Sequence, residues 1–362
     1  QKTLLLRPDW EAAAIAHAQI QAQQSSQTAI TSLSDFVERY PNARDARLAL
    51  ARLLISEKKY DEARVQFDRL IKDNPDNPDV IYPVAMLALQ QGDVSTGRAQ
   101  LEKLLNSDFP DKSTLHFFIG QIDEDQKKLE PALQHYRQVT VGDQYINARA
   151  RAAQILLKLG RPEEAREMIR STQASSNTER TQLILAESQL LRESGKHADA
   201  YALLESALAK QPDNTELLYE TALTAERLGK TDVLEKHLKR LLEIKPDHAH
   251  ALNALGYSFA ERNIRLDEAH QLITHALSLA PEDPFIMDSL GWVLYRQGKL
   301  NEALTTLENA YKIKADPEIA AHRGEVLWAL NRKDEARTLL KEAARKNPDN
   351  EVLASAVKKF TP

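Results

Sequence analysis

Ser56-Glu-Lys-Lys59 has the Ser-x-x-Lys spacing in which a lysine amine can activate a serine nucleophile. The stretch lacks that chemistry's companion motifs and falls where a helix ends, so the spacing reads as a turn. The ten histidines are scattered. His248 and His250 are expected on different helical faces, neither with a second ligand four residues away, which favours surface or packing roles over metal. Asp123-Glu-Asp125 reads as a charged, solvated turn. No glycine-rich phosphate loop, Gly-x-Ser-x-Gly elbow or His-Glu-x-x-His helix is present. Cysteine is absent, which removes thiolate zinc sites and thiol nucleophiles. The residues therefore predict neither an enzyme nor a cofactor or metal site.

Composition narrows the class further. Hydrophobic residues make up 42 % and charged residues 28 %, enough apolar material for a large core. The 53 acidic and 48 basic side chains are interspersed, giving a net charge of −5 with no long block of one sign. That argues against a nucleic-acid surface or a polybasic membrane contact. No apolar run approaches the roughly 20 residues of a membrane span. The first residues lack the pattern of a signal peptide, and Gln1–Pro8 reads as the last turns of a helix from a preceding repeat. Any targeting signal is expected upstream of it.

The elements that would position functional side chains follow from a period. Ala29, Ala63, Gly97, Ala132, Ala165, Ala200, Leu234, Ala269, Ala303 and Ala336 recur at intervals of 33 to 35 residues. A second series, Pro8, Pro41, Pro75, Pro110, Pro212, Pro246, Pro281 and Pro348, keeps the same register at another phase. Each proline ends a helix, and polar residues after it (Asp76-Asn77, Asp247-His248, Glu282-Asp283) can cap the next. Apolar spacing within a unit is helical, as in Leu48, Ala51, Leu54 and Ile55, then Ala63, Phe67, Leu70 and Ile71. Gly160, Gly195, Gly229 and Gly298 fall in the turns between paired helices. A repeat near 34 residues built from two helices resembles the tetratricopeptide repeat. The expected fold is all-α, a right-handed superhelical solenoid of about ten helix pairs over residues 9–348. Residues 1–8 are the end of a preceding unit, and residues 349–362 form a capping helix and tail. The alanine column and Gly120, Gly256, Gly291 and Gly324 are expected at helix crossings, where bulk would force backbones apart. Leu234 and Gly97 break the column, so units seven and three are expected to pack differently.

The stretches Ala254-Leu-Gly-Tyr-Ser-Phe-Ala-Glu-Arg262, Asp288-Ser-Leu-Gly-Trp-Val-Leu-Tyr-Arg-Gln-Gly298 and Ala321-His-Arg-Gly-Glu-Val-Leu-Trp-Ala-Leu330 are more specific. They resemble bacterial outer-membrane tetratricopeptide lipoproteins of the LbcA type, adaptors of a carboxy-terminal processing protease. The resemblance implies a non-catalytic periplasmic scaffold that binds the protease and substrates such as peptidoglycan hydrolases. It also implies anchoring to the outer membrane through a lipidated cysteine upstream of Gln1.

In tetratricopeptide units the first helix of each pair lines the concave surface, at positions 2, 5, 9, 12 and 13 when the small residue is position 20. Transferring that register singles out Tyr219 and Glu226 in unit seven and His250, Asn253 and Tyr257 in unit eight. It selects Phe285, Asp288, Trp292, Tyr295 and Arg296 in unit nine and Trp328 in unit ten. Aromatic side chains beside polar groups have the composition of a peptide-binding hot spot, in a chain only 6 % aromatic. The alternative for each ring is filling space between units. Earlier units offer a more mixed groove, with Asp45, Arg52, Tyr82, Met86, Gln90, Phe117, Gln121 and Glu124. Two other classes fit a helical repeat: a cytosolic co-chaperone gripping a C-terminal carboxylate, for which only Asn253 is suggestive, and a helical arm of a larger enzyme or polysaccharide-export machine.

Overall fold

The computed structural model describes residues 7–360, and every regular element among them is an α-helix. The expectation for residues 1–6, the end of a preceding unit, lies outside the described residues. Those residues divide between Gln173 and Ala174 into two compact units. The first contains α1 (Glu11–Ala22), α2 (Ser26–Arg39), α3 (Arg44–Ser56), α4 (Tyr60–Asp73), α5 (Pro78–Gln90), α6 (Val94–Leu105), α7 (Lys112–Asp125), α8 (Leu129–Gln138), α9 (Tyr145–Lys158) and α10 (Pro162–Ser171). The second contains α11 (Asn177–Glu193), α12 (His197–Leu208), α13 (Thr215–Arg227), α14 (Thr231–Ile244), α15 (Ala249–Glu261), α16 (Leu266–Leu279), α17 (Pro284–Arg296), α18 (Leu300–Ile313), α19 (Pro317–Ala329), α20 (Lys333–Lys346) and α21 (Glu351–Phe360). These are ten hairpin pairs followed by one further helix, as the period requires.

Local chemistry starts and stops the helices. Asn77, Asp111, Asn214, His248 and Asp283 follow the phase-setting prolines, and each accepts a backbone N–H of the helix it opens. Every pair except the first, α1 and α2, closes through a residue in the left-handed region. Gly298, with φ of 78°, fills that position between α17 and α18, whereas Lys58, Lys127, Asn263 and Asn331 fill it elsewhere at φ of 56° to 63°. The loop between α15 and α16 carries one extra residue. A second left-handed residue, Arg265, absorbs it.

The small-residue column marks the crossings. Ala269, Ala303 and Ala336 are fully buried. A Cβ on Gly291 would lie 2.5 Å from Cγ of Leu307, and one on Gly324 would lie 2.7 Å from Cδ2 of Leu340. Close backbone approach lets Leu307 and Leu340 fill the crossings without a void. Where the column carries Gly97, Leu89 occupies the space, 2.5 Å from a hypothetical Cβ. Leu234 is wholly buried in the second unit's core with Leu238 and Leu241 on the same stripe of α14. First helices bury a wider arc than second helices, because neighbours flank them on both sides. On α13, Thr221 and Thr224 lie in that arc and donate their hydroxyls to Leu217 O and Glu220 O, which satisfies both inside the helix.

Two sequence expectations need correction. Asp123-Glu-Asp125 is not a solvated turn but the end of α7. Asp123 is only 1 % exposed, held by Arg98 at 2.6 Å, and Glu124 accepts from Arg151 and from the Tyr136 hydroxyl. Cations and a phenol from neighbouring helices draw both carboxylates out of water, which a local reading misses. His248, in turn, is the cap of α15 and sits outside its helical faces. Its ring lies 6.5 Å from that of His250.

Candidate functional site

The first helices of the second unit form the row that register arithmetic singles out. Helix α15 packs on α17, α17 on α19, and α19 on α21, whereas α13 and α15 approach each other less closely. Tyr219 and Glu226 sit seven residues, about two turns, apart on α13; Asn253 and Tyr257 sit one turn apart on α15. All four are half-buried. The Tyr219 ring reaches the His248 ring at 5.6 Å, from α13 to the cap of α15. His250 is exposed, as is Phe285, whose ring lies under the Lys314 ammonium at 4.4 Å.

A tight constellation joins α15, α17 and α19. His322 Nδ1 lies 2.8 and 3.0 Å from the two Asp288 carboxylate oxygens. The Trp292 indole stacks on His322 at 4.3 Å and donates Nε1–H to Glu261 at 2.8 Å. Arg296 covers the indole at 5.1 Å and donates to the carbonyls of Ala260 and Glu261. Those carbonyls end α15 and have no partner within the helix. Tyr295 lies 5.1 Å from Trp292 and donates to Glu325, which also receives Lys359 of α21 at 3.1 Å. The structure thus gathers Tyr257, Asp288, Trp292, Tyr295 and Arg296. Trp328 lies apart, packed on Phe360 at 5.4 Å with Lys333 and Arg337 over its ring. Trp292 is 5 % exposed and Asp288 7 %, so both act from inside the packing while Tyr257 and Tyr295 keep exposed edges.

Electrostatics follow from burial among carboxylates. Burial alone would lower the His322 imidazole, but Asp288, reinforced by Glu261 and Glu318, outweighs it and raises the pKa above the ordinary value. Burial raises the Tyr257 phenol, and the charges of Glu261, Asp288, Glu318 and Glu226 raise it further. Glu226 is also raised, first by burial, then by Glu261 against the opposing pull of Arg227 and Arg262. Arg262 is committed to Glu235 and Ser258 O.

The arrangement presents aromatic faces and hydrogen-bond acceptors. Ser56 Oγ donates to Leu53 O while Lys59 reaches Gln27 and Glu62, so the Ser-x-x-Lys pair engages separate partners. Among the described residues no group of three or more His, Asp or Glu is arranged to hold a metal, and no helix is long and apolar enough to cross a membrane. Register arithmetic places Ala321 on the groove and passes over its neighbour His322. A signal was available: His322 follows Asp288 by 34 residues, one period. Trp292–Glu261 and Tyr295–Glu325 are likewise joined across 31 and 30 residues.

A family profile described as tetratricopeptide repeat matches residues 21–81, 54–122, 191–257 and 294–359, and a second of that description matches residues 147–171. The chain belongs to the tetratricopeptide-repeat family. Proteins of this family are protein-binding scaffolds, and the helix pairs described above are their repeats. The tetratricopeptide chain is 38 % identical over 207 residues to the TPR repeat-containing protein PA4667 of Pseudomonas aeruginosa. That alignment covers 57 % of this chain and 35 % of the relative, so the chain matches about a third of the relative's length. Among solved structures, TTC0263, a thermophilic TPR protein of Thermus thermophilus, is 25 % identical, with a TM-score of 0.44 over 49 % of this chain and 98 % of that one. A tetratricopeptide repeat protein from Parabacteroides merdae is 18 % identical, with a TM-score of 0.48 over 78 % of this chain and 98 % of that one.

Proposed function

We propose that the chain is a non-catalytic adaptor that holds extended segments of partner proteins along the first helices of its second unit. The observation that carries this reading is the succession of half-exposed rings Tyr219, Tyr257 and Tyr295 on α13, α15 and α17, each beside a carboxylate. Rigid aromatic side chains on successive helices offer contact area at low entropic cost, which is how interface hot spots are built. The resemblance in residues 254–330 points to the partner class: a carboxy-terminal processing protease, with substrates such as peptidoglycan hydrolases. In that role the protein is periplasmic and anchored to the outer membrane. The scaffold contributes effective concentration and orientation, and the protease contributes the chemistry. A co-chaperone clamp for C-terminal carboxylates needs lysines on consecutive first helices, and α13, α15, α17 and α19 carry none.

The test is affinity capture of the full-length protein from its host, wild type beside Tyr257→Ala/Tyr295→Ala. A periplasmic processing protease should be recovered with the wild type and depleted with the double variant. Recovery of cytosolic chaperones alone would overturn the adaptor reading.

A further inference from the structure

The first unit holds a groove whose walls and charges the repeat packing leaves unused. Helices α1 and α3 lie side by side, and a cavity of about 400 Å³ opens between them over Leu33 of α2. Its walls are Ile15, Ala18 and Ala22 of α1 and Leu48, Ala49 and Leu53 of α3. Three of those six are alanine, so neither helix fills the space it faces, and all but Ala18 remain half-exposed. A concave apolar surface open to water lacks the dispersion contacts that an incoming apolar group restores.

Two opposite charges bracket these walls. Asp45 and Arg52 both line the cavity, both are exposed, and neither makes a hydrogen bond or ion pair among the described residues. Neighbouring charged groups are already engaged. Glu11 accepts the N–H of Ala46 at 2.6 Å, and Arg47 donates to Gln66 Oε1 and to the carbonyls of Val37 and Pro41. Asp45 and Arg52 stand seven residues apart on α3, about 10 Å along its axis. Leu48 and Ala49 lie between them on the same face, three and four residues on. The stripe thus reads acid, apolar, apolar, base at helical spacing.

We propose that this groove binds an amphipathic helix of a partner protein, lying antiparallel to α3. The inward stripe of that helix carries a carboxylate at i, large aliphatic side chains at i+3 and i+4, and a cation at i+7. The span from i to i+7 is the same on both helices, so the ligand's carboxylate meets Arg52 and its cation meets Asp45 while the aliphatic pair enters the cavity. The antiparallel order also puts the ligand's carboxylate toward its own N-terminus and the cation toward its C-terminus, as the helix dipole favours. An extended segment matches less well. At about 3.3 Å per residue, the separation of the two charges corresponds to i and i+3, whose side chains point to opposite faces of a strand. The site lies in the first unit and does not depend on the rings of the second.

Fluorescence anisotropy of the full chain with a fluorescein-labelled, alanine-rich helical peptide of fifteen residues tests this. Glutamate stands at position 4 of the peptide, leucine at 7 and 8, and lysine at 11. The peptide should bind, and an analogue with glutamine at positions 4 and 11 should bind about fivefold more weakly, as expected for two exposed charge pairs. Arg52→Glu should weaken the original peptide about tenfold and make an analogue with lysine at both positions the better ligand, a reversal that misfolding does not produce. Ala49→Phe, which fills the cavity from its rim, should abolish binding of all three peptides with an unchanged circular dichroism spectrum. Tyr257→Ala/Tyr295→Ala, the variant that tests the adaptor reading, should leave peptide binding unaltered, so the two readings fail separately. No binding at millimolar peptide, equal binding of the glutamine analogue, or no switch of preference with Arg52→Glu each overturns the proposal. Loss of peptide binding with Tyr257→Ala/Tyr295→Ala would assign the helix to the second unit. A dimer of the chain in sedimentation that Arg52→Glu dissociates would make the occupant a second copy, and either result overturns the proposal as well.

Discussion

Trp292 and Tyr295 are one turn apart on α17 and fulfil different duties. Sequence register puts both on the groove, yet only the neighbouring repeat decides which ring stays accessible. His322 arrives from α19 and roofs the indole, leaving Trp292 5 % exposed, whereas Tyr295 keeps an edge in solvent. Trp292→Ala should therefore lower stability by about 3 to 5 kcal/mol, as for other buried aromatic truncations. Tyr295→Ala should instead weaken partner binding by about 1 to 3 kcal/mol; parallel thermal melts and binding titrations distinguish the two, and equal melting losses would make Tyr295 a packing residue as well. The Asp288–His322 pair adds a pH dependence. His322 has a raised pKa when folded, so its contribution is fully present below the unfolded value of about 6.5. It is lost as pH rises through the folded value. Melting temperatures of wild type and His322→Gln should thus differ most near pH 6 and converge under alkaline conditions. A gap that widens with rising pH would contradict the pairing. The groups facing His322 are Asp288, Glu261, Glu318, Tyr257 and Trp292, and the carboxylates all act in the same direction.

At the scale of elements, much is legible because helix boundaries are written locally. Proline followed by Asn, Asp or His marks the caps at Asn77, Asn214, His248 and Asp283, and a small residue every 33 to 35 positions marks the crossings. The acidic run at the end of α7 defeats a local reading because its partners, Arg98, Tyr136 and Arg151, come from other helices. The same holds for His322, whose partner lies a full period away. The turns offer a further test, since Lys127 holds φ of 60° where Gly298 holds 78° with no side-chain penalty. A left-handed L-residue costs about 1 to 2 kcal/mol, and glycine gives back about 0.4 to 1 kcal/mol through unfolded-state entropy. Lys127 is exposed, so Lys127→Gly should stabilise the first unit by up to about 1 kcal/mol, read as a rise in the urea midpoint. A fall in the midpoint would mean that the lysine side chain contributes packing at the turn.

At the scale of the whole molecule, the substantial contacts join helices that are next or next but one in sequence. Stability in such a chain is close to a sum of repeat terms and nearest-neighbour interface terms, without a single global core. A lesion should consequently stay near its origin. Ala303 is fully buried where α18 crosses its neighbours, in a cluster with Leu294, Leu307 and Ile319. Ala303→Leu overpacks that crossing at a cost of about 1 to 3 kcal/mol, equivalent to roughly 5- to 150-fold faster exchange of amides that open with it. Hydrogen exchange followed by mass spectrometry should show the acceleration in α17, α18 and α19, a smaller effect in α15, α16 and α20, and none in α1 to α4. The gradient is the informative quantity, because it measures how far one repeat's stability is felt by the next. Uniform acceleration through both units would show that they unfold as one cooperative body. A partner segment laid across α13 to α19 should slow exchange over the same helices, since it binds several repeats only when all are formed and so couples terms that are otherwise summed one by one.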